Sequence, residues 1–572
     1  MSDSPQASLA TELPRLPELV ECARAWASHD PDPATTVELL EVVGRAEEGD
    51  VDAVDDLRSR FAGPLVFGTA GLRGQVAAGE SRMNVAVVTR ATAGVARYLL
   101  DTVGEGARVV VGCDARHGSH DFYDAAVEVL SGAGITVLAL PKERPTPLTA
   151  FATRALEADA GIMVTASHNP AADNGYKVYL GGRAADEYGR GVQIVPPADA
   201  EIAARIAGAP PADAVPRDRA GIQPVGDDLL ESYVARMADH RRGSGPSSVR
   251  LVFTAMHGVG GATAEAVLRR AGVRDIHPVA EQMDPDPDFP TVPFPNPEEP
   301  GAIDLSVALA AEVSADLVVA LDPDADRCSL AIPLRDGTWR QLSGDEIGAL
   351  FGEQAAADPD REGDVLACSI VSTRLLGRIA QHHGLRSATT LTGFKWIART
   401  PGLRFGFEEA IGYCTDPMAV RDKDGIGAMT YAVSLVEELA ERGKTVEDLL
   451  DDLARTHRLH ATSPLTFRVS DPGIISEAMA TLRAVGISEL AGSPVVETVD
   501  LAEGVDGLPP TDGLRYLTEA EDRVVIRPSG TEPKLKCYLE VILACDGSAV
   551  PRDAARRRLE QIKTDLRAVL GL

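Results

Sequence analysis

The chain has 572 residues, about 3.8 domains at roughly 150 residues each, which excludes a single small binding module. Hydrophobic residues at 44% and charged residues at 25% are those of a folded globular protein, and 86 acidic against 56 basic side chains leave a formal charge of −30. Spread along the chain, that charge opposes nucleic acid and anionic membranes, so an anionic ligand needs a local concentration of cations.

The N-terminus lacks a basic leader followed by an apolar core, and no window approaches 18 uninterrupted apolar residues. Cys22, Cys113, Cys328, Cys368, Cys414, Cys537 and Cys545 form no C-x-x-C pair. These features predict a cytoplasmic protein that neither enters a membrane nor binds nucleic acid. Residues 1 to about 60 read as amphipathic helices, an extension ahead of the glycine-rich turn Gly68–Gly74. Short apolar runs then alternate with helical periodicity: RVVVGCD, YDAAVEVLSGAG, ITVLAL and GIMVTAS; then VRLVFTAMHG, ATAEAVLRRAG and DLVVALDP; then DVLACSIVST, RLLGRIAQHHG and TTLTG. Strand, helix, strand is the parallel α/β pattern, whose ligands bind at the carboxyl ends of strands.

Polar, proline-rich stretches at 210–228 and 456–473 read as boundaries, with a hinge near 460–472, and 283–300 is too rich in proline for regular structure. After the second boundary a helix, several short strands and a terminal helix indicate a smaller α+β domain. The expected fold class is α/β: three related α/β domains with mixed sheets and a C-terminal α+β domain. The divisions fall at 1–60, 61–228, 229–345, 346–462 and 463–572.

Asp322, Asp324 and Asp326 follow the strand-like DLVVAL at i, i+2 and i+4, and oxygen-only ligands select a hard cation such as Mg²⁺, Mn²⁺ or Ca²⁺. A calcium EF-hand fails because Arg327 stands where that loop needs glycine and Pro333 where it needs glutamate. The similar Asp284, Asp286 and Asp288 follow no buried strand and precede no arginine. In Thr165-Ala166-Ser167-His168-Asn169-Pro170 a serine at a strand mouth suits phosphoryl transfer, and a phosphate on it calls for a divalent ion. In Arg527-Pro528-Ser529-Gly530-Thr531-Glu532-Pro533-Lys534 a guanidinium fork, two hydroxyls, a glycine and a lysine make an anion cradle. Glu408 and Glu409, in the stretch Gly406–Tyr413, can accept from sugar hydroxyls. Arg73, Lys177, His168 and Lys395 are further candidates, and His257 in the turn HGVGG reads as structural.

Together, T-A-S-H-N-P, D-P-D-A-D-R, G-F-E-E-A-I-G-Y and R-P-S-G-T-E-P-K, in that order, resemble the α-D-phosphohexomutase superfamily of phosphoglucomutases and phosphomannomutases. The resemblance implies four domains around a central cleft. It implies Ser167 as the phosphoserine, which with Asp322, Asp324 and Asp326 would hold one Mg²⁺. Arg327 would support the transferring phosphate, while Arg73, Lys177 and His168 would share proton transfer and phosphate contact. Lys395, Glu408 and Glu409 would bind the sugar, and Arg527, Ser529, Gly530, Thr531 and Lys534 the phosphate that is not reacting. The implied activity interconverts hexose 1-phosphate and 6-phosphate through a sugar 1,6-bisphosphate, with sugar phosphates as the only partners of a monomer or weak dimer. The sugar loop lacks the serine of the usual G-E-x-S, and its G-F-E-E-A-I-G-Y is similar to the branch with phosphopentomutase-like members. The rivals are a phosphohydrolase with Asp322 as nucleophile and a non-catalytic sugar-phosphate binder.

Overall fold

The computed structural model describes residues 15–68, 71–469, 471–529, 534–547 and 549–571. Of the site positions named above, Gly530 and Thr531 lie outside the described residues, as do Thr69 and Ala70 of the glycine-rich turn. Contacts group the chain into two compact units. One is Met1–Arg144 with Glu157–Ala184 and Gln193–Val225; the other is Pro145–Leu156 with Ala185–Val192 and Gly226–Leu572.

The first unit begins with helices Leu16–Ala27, Pro33–Glu47 and Val51–Arg60. Asp32 and Asp50 start the second and third by accepting from the backbone N–H groups of Ala34 and Asp52, at 2.9 and 3.0 Å. Leu19, Leu39, Val43 and Leu57 interlock behind them, so the extension has a core of its own. Its sheet then runs in the order Leu72–Gln75, Asp173–Leu180, Ala160–Val164, Arg108–Cys113, Thr136–Ala139, Ile222–Pro224. Strands from Ala160–Val164 onward are mutually parallel, and Asp173–Leu180 returns antiparallel to Ala160–Val164.

The second unit repeats this plan twice. Leu317–Leu321 lies parallel to Leu251–Thr254, and Cys328–Pro333 returns antiparallel beside it. Leu403–Glu408 lies parallel to Val365–Ser369, and Gly412–Cys414 returns antiparallel beside it. A parallel neighbour needs a crossover of a dozen or more residues, whereas a short loop permits only an antiparallel return. The serine, aspartate and glutamate loops therefore occupy one equivalent place, the turn between the last parallel strand and its antiparallel partner. Each turn has one non-glycine residue in the left-handed region: Ser167 at φ 52°, Ala325 at 56° and Ile411 at 51°.

The last sheet is antiparallel, in the order Leu459–Arg468, Lys534–Leu543, Arg523–Pro528, Leu514–Thr518, Ser493–Asp500, Glu489–Leu490. Helices Pro472–Val485 and Arg552–Leu570 share a core with it through Met479, Leu482, Leu559, Ile562, Tyr516 and Val524. The polar stretch 456–473, read as a boundary with a hinge near 460–472, holds the strand Leu459–Arg468, paired residue for residue with 534–543. Pro464 is admissible there because the strand lies at the sheet edge. The chain changes direction at Arg458, φ 75°, directly after helix Val446–His457. The stretch 283–300 has only turns beyond Gln282, as its prolines require. Among the described residues no helix is long and apolar enough to cross a membrane.

Candidate active site

In the first unit the serine loop is fastened from below by a residue that the sequence reading passed over. Arg116 is buried beside Asp114, and its guanidinium donates to the carbonyls of Ser167 and Asn169 at 2.6 Å and Pro170 at 2.8 Å. One fork thus collects three carbonyls of the loop, of which that of Pro170 also accepts from Asp173 N–H at 3.0 Å. Ser167 is buried, its N–H donates to Thr165 Oγ1 at 2.9 Å, and its Oγ lies 3.4 Å from His168 Nδ1. Arg73, on the strand beyond, donates to Asn169 Oδ1 at 3.1 Å. Lys177 is buried on the returning strand opposite Met163. Arg73 and His168 are therefore gathered at the serine loop. The signal for Arg116 was present in D-A-R after the first parallel strand, but no spacing rule ties it to a loop 51 residues on.

In the second unit Asp322, Asp324 and Asp326 are fully buried, and one oxygen from each lies within 4.8 Å of the others. They are the one such group of potential metal ligands among the described residues. Asp322 is held from within the turn by the backbone N–H of Arg327 at 2.9 Å. Asp324 Oδ2 accepts from Thr146 Oγ1 at 2.6 Å, and Asp326 Oδ2 from Lys423 Nζ at 2.8 Å. Backbone contact holds the turn as tightly. Val259 N–H donates to the Pro323 carbonyl at 2.8 Å, and a Cβ on Gly258 would stand 2.2 Å from that oxygen. Gly425, at the head of helix Gly425–Glu441, donates to the Ala325 carbonyl at 3.1 Å. His257 is buried, with Nε2 2.8 Å from Thr291 Oγ1. Its HGVGG turn is the floor of the aspartate turn.

Arg327 joins that turn to the glutamate loop. It donates to the Ala410 carbonyl at 2.7 Å and stands 3.8 Å from Glu408 and Asp326 and 3.9 Å from Asp322. Burial alone would lower its pKa, but Glu408, Asp326 and Asp322 hold the guanidinium above its ordinary range. Burial raises the Glu408 carboxyl, and Lys423 and Arg327 oppose that rise. Arg327 and Lys423 thus face Asp322, Asp326 and Glu408, and the three buried aspartates together form a set of ligand atoms that could hold a divalent ion. The donor set is all oxygen, which fits a hard ion and not zinc.

Glu409 points elsewhere: its Oε2 accepts from Ser369 Oγ at 2.9 Å and Ser372 Oγ at 2.8 Å. In the same turn Thr373 N–H donates to Asp345 Oδ1 at 2.7 Å. Burial pushes the Asp345 carboxyl up to about 7, against the pull of that hydrogen bond and with further help from Glu409. The strand that carries Arg527 ends at Pro528, one residue before Ser529, whose N–H closes the hairpin on the Lys534 carbonyl at 2.8 Å. Burial raises the Tyr538 hydroxyl, Glu409 and Glu408 raise it further and Arg527 lowers it, so the cradle strand and the glutamate loop act on one residue. Lys395 sits half-buried on the short helix Phe394–Ile397. Thr146 and Lys423 were not legible as site residues, being 178 and 97 positions from the aspartates they meet.

Four domain descriptions match the chain in order. They are "Phosphoglucomutase/phosphomannomutase, alpha/beta/alpha domain I" over 64–210, domain II over 231–334, domain III over 343–457, and the C-terminal domain over 468–542. A Haemophilus influenzae protein named "Probable phosphomannomutase" is 40% identical over 460 residues, 80% of this chain and 93% of its own length. A mouse protein named "Phosphopentomutase" is 32% identical over 597 residues, 96% of this chain and 92% of its own. A Burkholderia thailandensis phosphoglucomutase/phosphomannomutase family protein has the same fold: TM-score 0.67 at 21% identity, over 88% of this chain and 97% of its own.

Two outcomes follow from the packing. Gly258→Ala forces the Pro323 carbonyl to move, so the variant should lose about 1–3 kcal/mol of stability and need more Mg²⁺ for half-maximal activity, measured by thermal unfolding and metal titration. Asp345 binds a proton when folded, up to about pH 7, that it releases near pH 4 when unfolded, so its contribution to stability falls as pH rises through that window. Asp345→Asn should therefore gain Tm on the parent between about pH 4 and about pH 7, in unfolding scans at several pH values.

Proposed function

This chain belongs to the phosphoglucomutase/phosphomannomutase family, and we propose that it interconverts hexose 1-phosphate and hexose 6-phosphate through a phosphoserine enzyme and a sugar 1,6-bisphosphate. It is thus an isomerase of the intramolecular phosphotransferase type. The observation that carries the reading is Arg327, fixed between a buried three-aspartate turn and the carboxylate of Glu408. A guanidinium in that place serves a phosphoryl group next to a sugar.

In this reading Ser167 carries the transferable phosphate. Its O–P bond breaks as a new one forms to the free sugar hydroxyl, whose proton passes to a group among His168, Lys177 and Arg73. Turned end for end, the bisphosphate returns its other phosphate to Ser167. Asp322, Asp324 and Asp326, with Ser167, would hold one Mg²⁺, which when bound neutralises phosphoryl charge. Glu408 accepts from sugar hydroxyls, Lys395 is a further sugar-binding residue, Glu409 serves the sugar loop from its bonds to Ser369 and Ser372, and Arg327 steadies the moving phosphate. Arg527, Ser529, Gly530, Thr531 and Lys534 grip the phosphate at rest. Bisphosphate acts as activator because it restores phosphoserine. The seven cysteines are free thiols, which suits a reducing cytoplasm, and we propose a monomer or weak dimer that meets only small sugar phosphates.

A pentose is the second reading, ribose 1-phosphate to 5-phosphate. Phe407-Glu408-Glu409-Ala410 lacks the serine of the usual hexose loop, and the phosphopentomutase relative aligns over 96% of this chain. Rates on glucose, mannose and ribose 1-phosphates, with Mg²⁺ and a trace of bisphosphate, decide between them: the hexose reading requires the higher kcat/KM on a hexose. Free phosphate without isomer would sink both.

Ser167→Ala should have no measurable turnover while keeping its Tm; substantial isomer formation would mean that the phosphate travels elsewhere. Arg527→Ala or Lys534→Ala should raise KM by about tenfold or more with a smaller change in kcat, because a resting-phosphate contact is equal in ground and transition states.

A further inference from the structure

The turn 370–374, between strand Val365–Ser369 and helix Leu375–His382, is gripped from two directions. On one side Ser369 and Ser372 both donate to Glu409 Oε2, at 2.9 and 2.8 Å. Glu409 adjoins Glu408 at the end of the strand paired with Val365–Ser369, where Cys368 stands opposite Phe407. On the other side the turn meets the C-terminal sheet. Arg523 donates to the carbonyl of Ser372 at 2.6 Å, with that of Ile370 at 3.2 Å. Glu540 is fully buried and accepts from Thr373 Oγ1 at 2.7 Å, from Arg374 N–H at 2.8 Å and from Arg374 Nε at 2.6 Å. Arg523 lies on the strand that ends in Arg527 and Pro528, and Glu540 on the strand that starts at Lys534.

A buried carboxylate with this many charged and polar partners is costly to leave half-satisfied, so the turn and the C-terminal sheet meet in one arrangement or separate together. Around the contact Ile370, Val371, Leu501 and Val525 pack as an apolar cluster, which excludes water from it. The two strands that bear the phosphate cradle are thus bonded to the turn whose serines hold the glutamate loop.

We infer that Ser369 and Ser372 are positioning residues for the sugar: through Glu409 they set the sugar loop at a fixed distance from the phosphate cradle, and Arg523 and Glu540 fix the turn that carries them. This rests on the proposed mutase reading. Neither serine touches the reacting atoms. Each acts through Glu409, whose place in the loop fixes where Glu408 can meet a sugar hydroxyl while the far phosphate sits in the cradle.

The test uses the full-length enzyme with Mg²⁺, glucose 1-phosphate and glucose 1,6-bisphosphate, with active sites counted by phosphoserine content. Ser369→Ala/Ser372→Ala should lose about 10- to 100-fold in kcat/KM, much of it in KM, at unchanged phosphoserine content, because sub-ångström misplacement of a substrate carries penalties of that size. Glu409→Gln, which still offers an oxygen to both hydroxyls, should lose less than Glu409→Ala. Arg523→Ala should raise KM in the parent and have little further effect once both serines are gone. Strictly multiplicative losses from Arg523→Ala and the serine pair would overturn the relay, as would a serine-less enzyme with the parent's KM. A lower Tm and fewer active sites, with KM unchanged in those that remain, would mean a merely structural turn and also overturn it. Should the parent itself form no isomer, the mutase reading fails instead, and the parent control tells the two failures apart.

Discussion

Three carboxylates buried in a single turn are the constraint from which the rest of the second unit follows. Asp322, Asp324 and Asp326 are inaccessible to water, and an ionised carboxylate in such a place must be met by charge and hydrogen bonds. The chain supplies Lys423 and Thr146 from distant stretches and, from the turn itself, the guanidinium and backbone N–H of Arg327. Close approach is part of the same solution. Gly258 and Gly425 stand where any side chain would strike the carbonyls of Pro323 and Arg327, so the neighbouring helices can start directly against the turn. With the turn rigid in advance, little reorganisation is left for a bound ion to impose.

The same scaffold position is used three times with different chemistry. A strand ends, a short turn places one residue in the left-handed region, and the chain returns antiparallel. Such a residue costs on the order of 1–3 kcal/mol, and it persists where the surroundings over-determine it. Arg116 does this for Ser167, the Gly258 turn for Ala325, and Arg327 for the residues beside Ile411. One sharp turn can thus display a hydroxyl, a metal-binding set or a sugar-facing carboxylate.

What was legible in the sequence and what was not divide along physical lines. The parallel strands are uninterrupted apolar runs because both faces are buried, and they were read correctly: RVVVGC, LVVAL and VLACS are buried almost throughout. The site loops stood out because polar residues crowd the ends of those runs. Leu459–Arg468 escaped notice because an edge strand tolerates Pro464 and needs few apolar residues. Arg116, Thr146 and Lys423 escaped because their partners are far away in sequence, and a single sequence offers no sign of such pairing. The acidic run at 284–288 shows the reverse case. It has three aspartates at the same spacing as the aspartate turn, yet Asp286 N–H donates to the His257 carbonyl, and Asp288 N–H to Asp286 Oδ1.

The missing serine of the sugar loop gains a physical meaning from Ser369 and Ser372. Hydroxyls are present near the loop, but they come from the adjacent turn and are committed to Glu409. Glu408 is left as an acceptor without a neighbouring hydroxyl in its own loop. A carboxylate can only accept, so it requires a donating sugar hydroxyl and distinguishes poorly between sugars that all supply one. On the proposed mutase reading, discrimination falls to length, the span from that hydroxyl to the resting phosphate, which the inferred relay sets through the contact of Arg523 and Glu540 with turn 370–374. On this argument the choice between a hexose and a pentose is made less by the residues that touch the sugar than by how the C-terminal sheet is seated against the turn behind them.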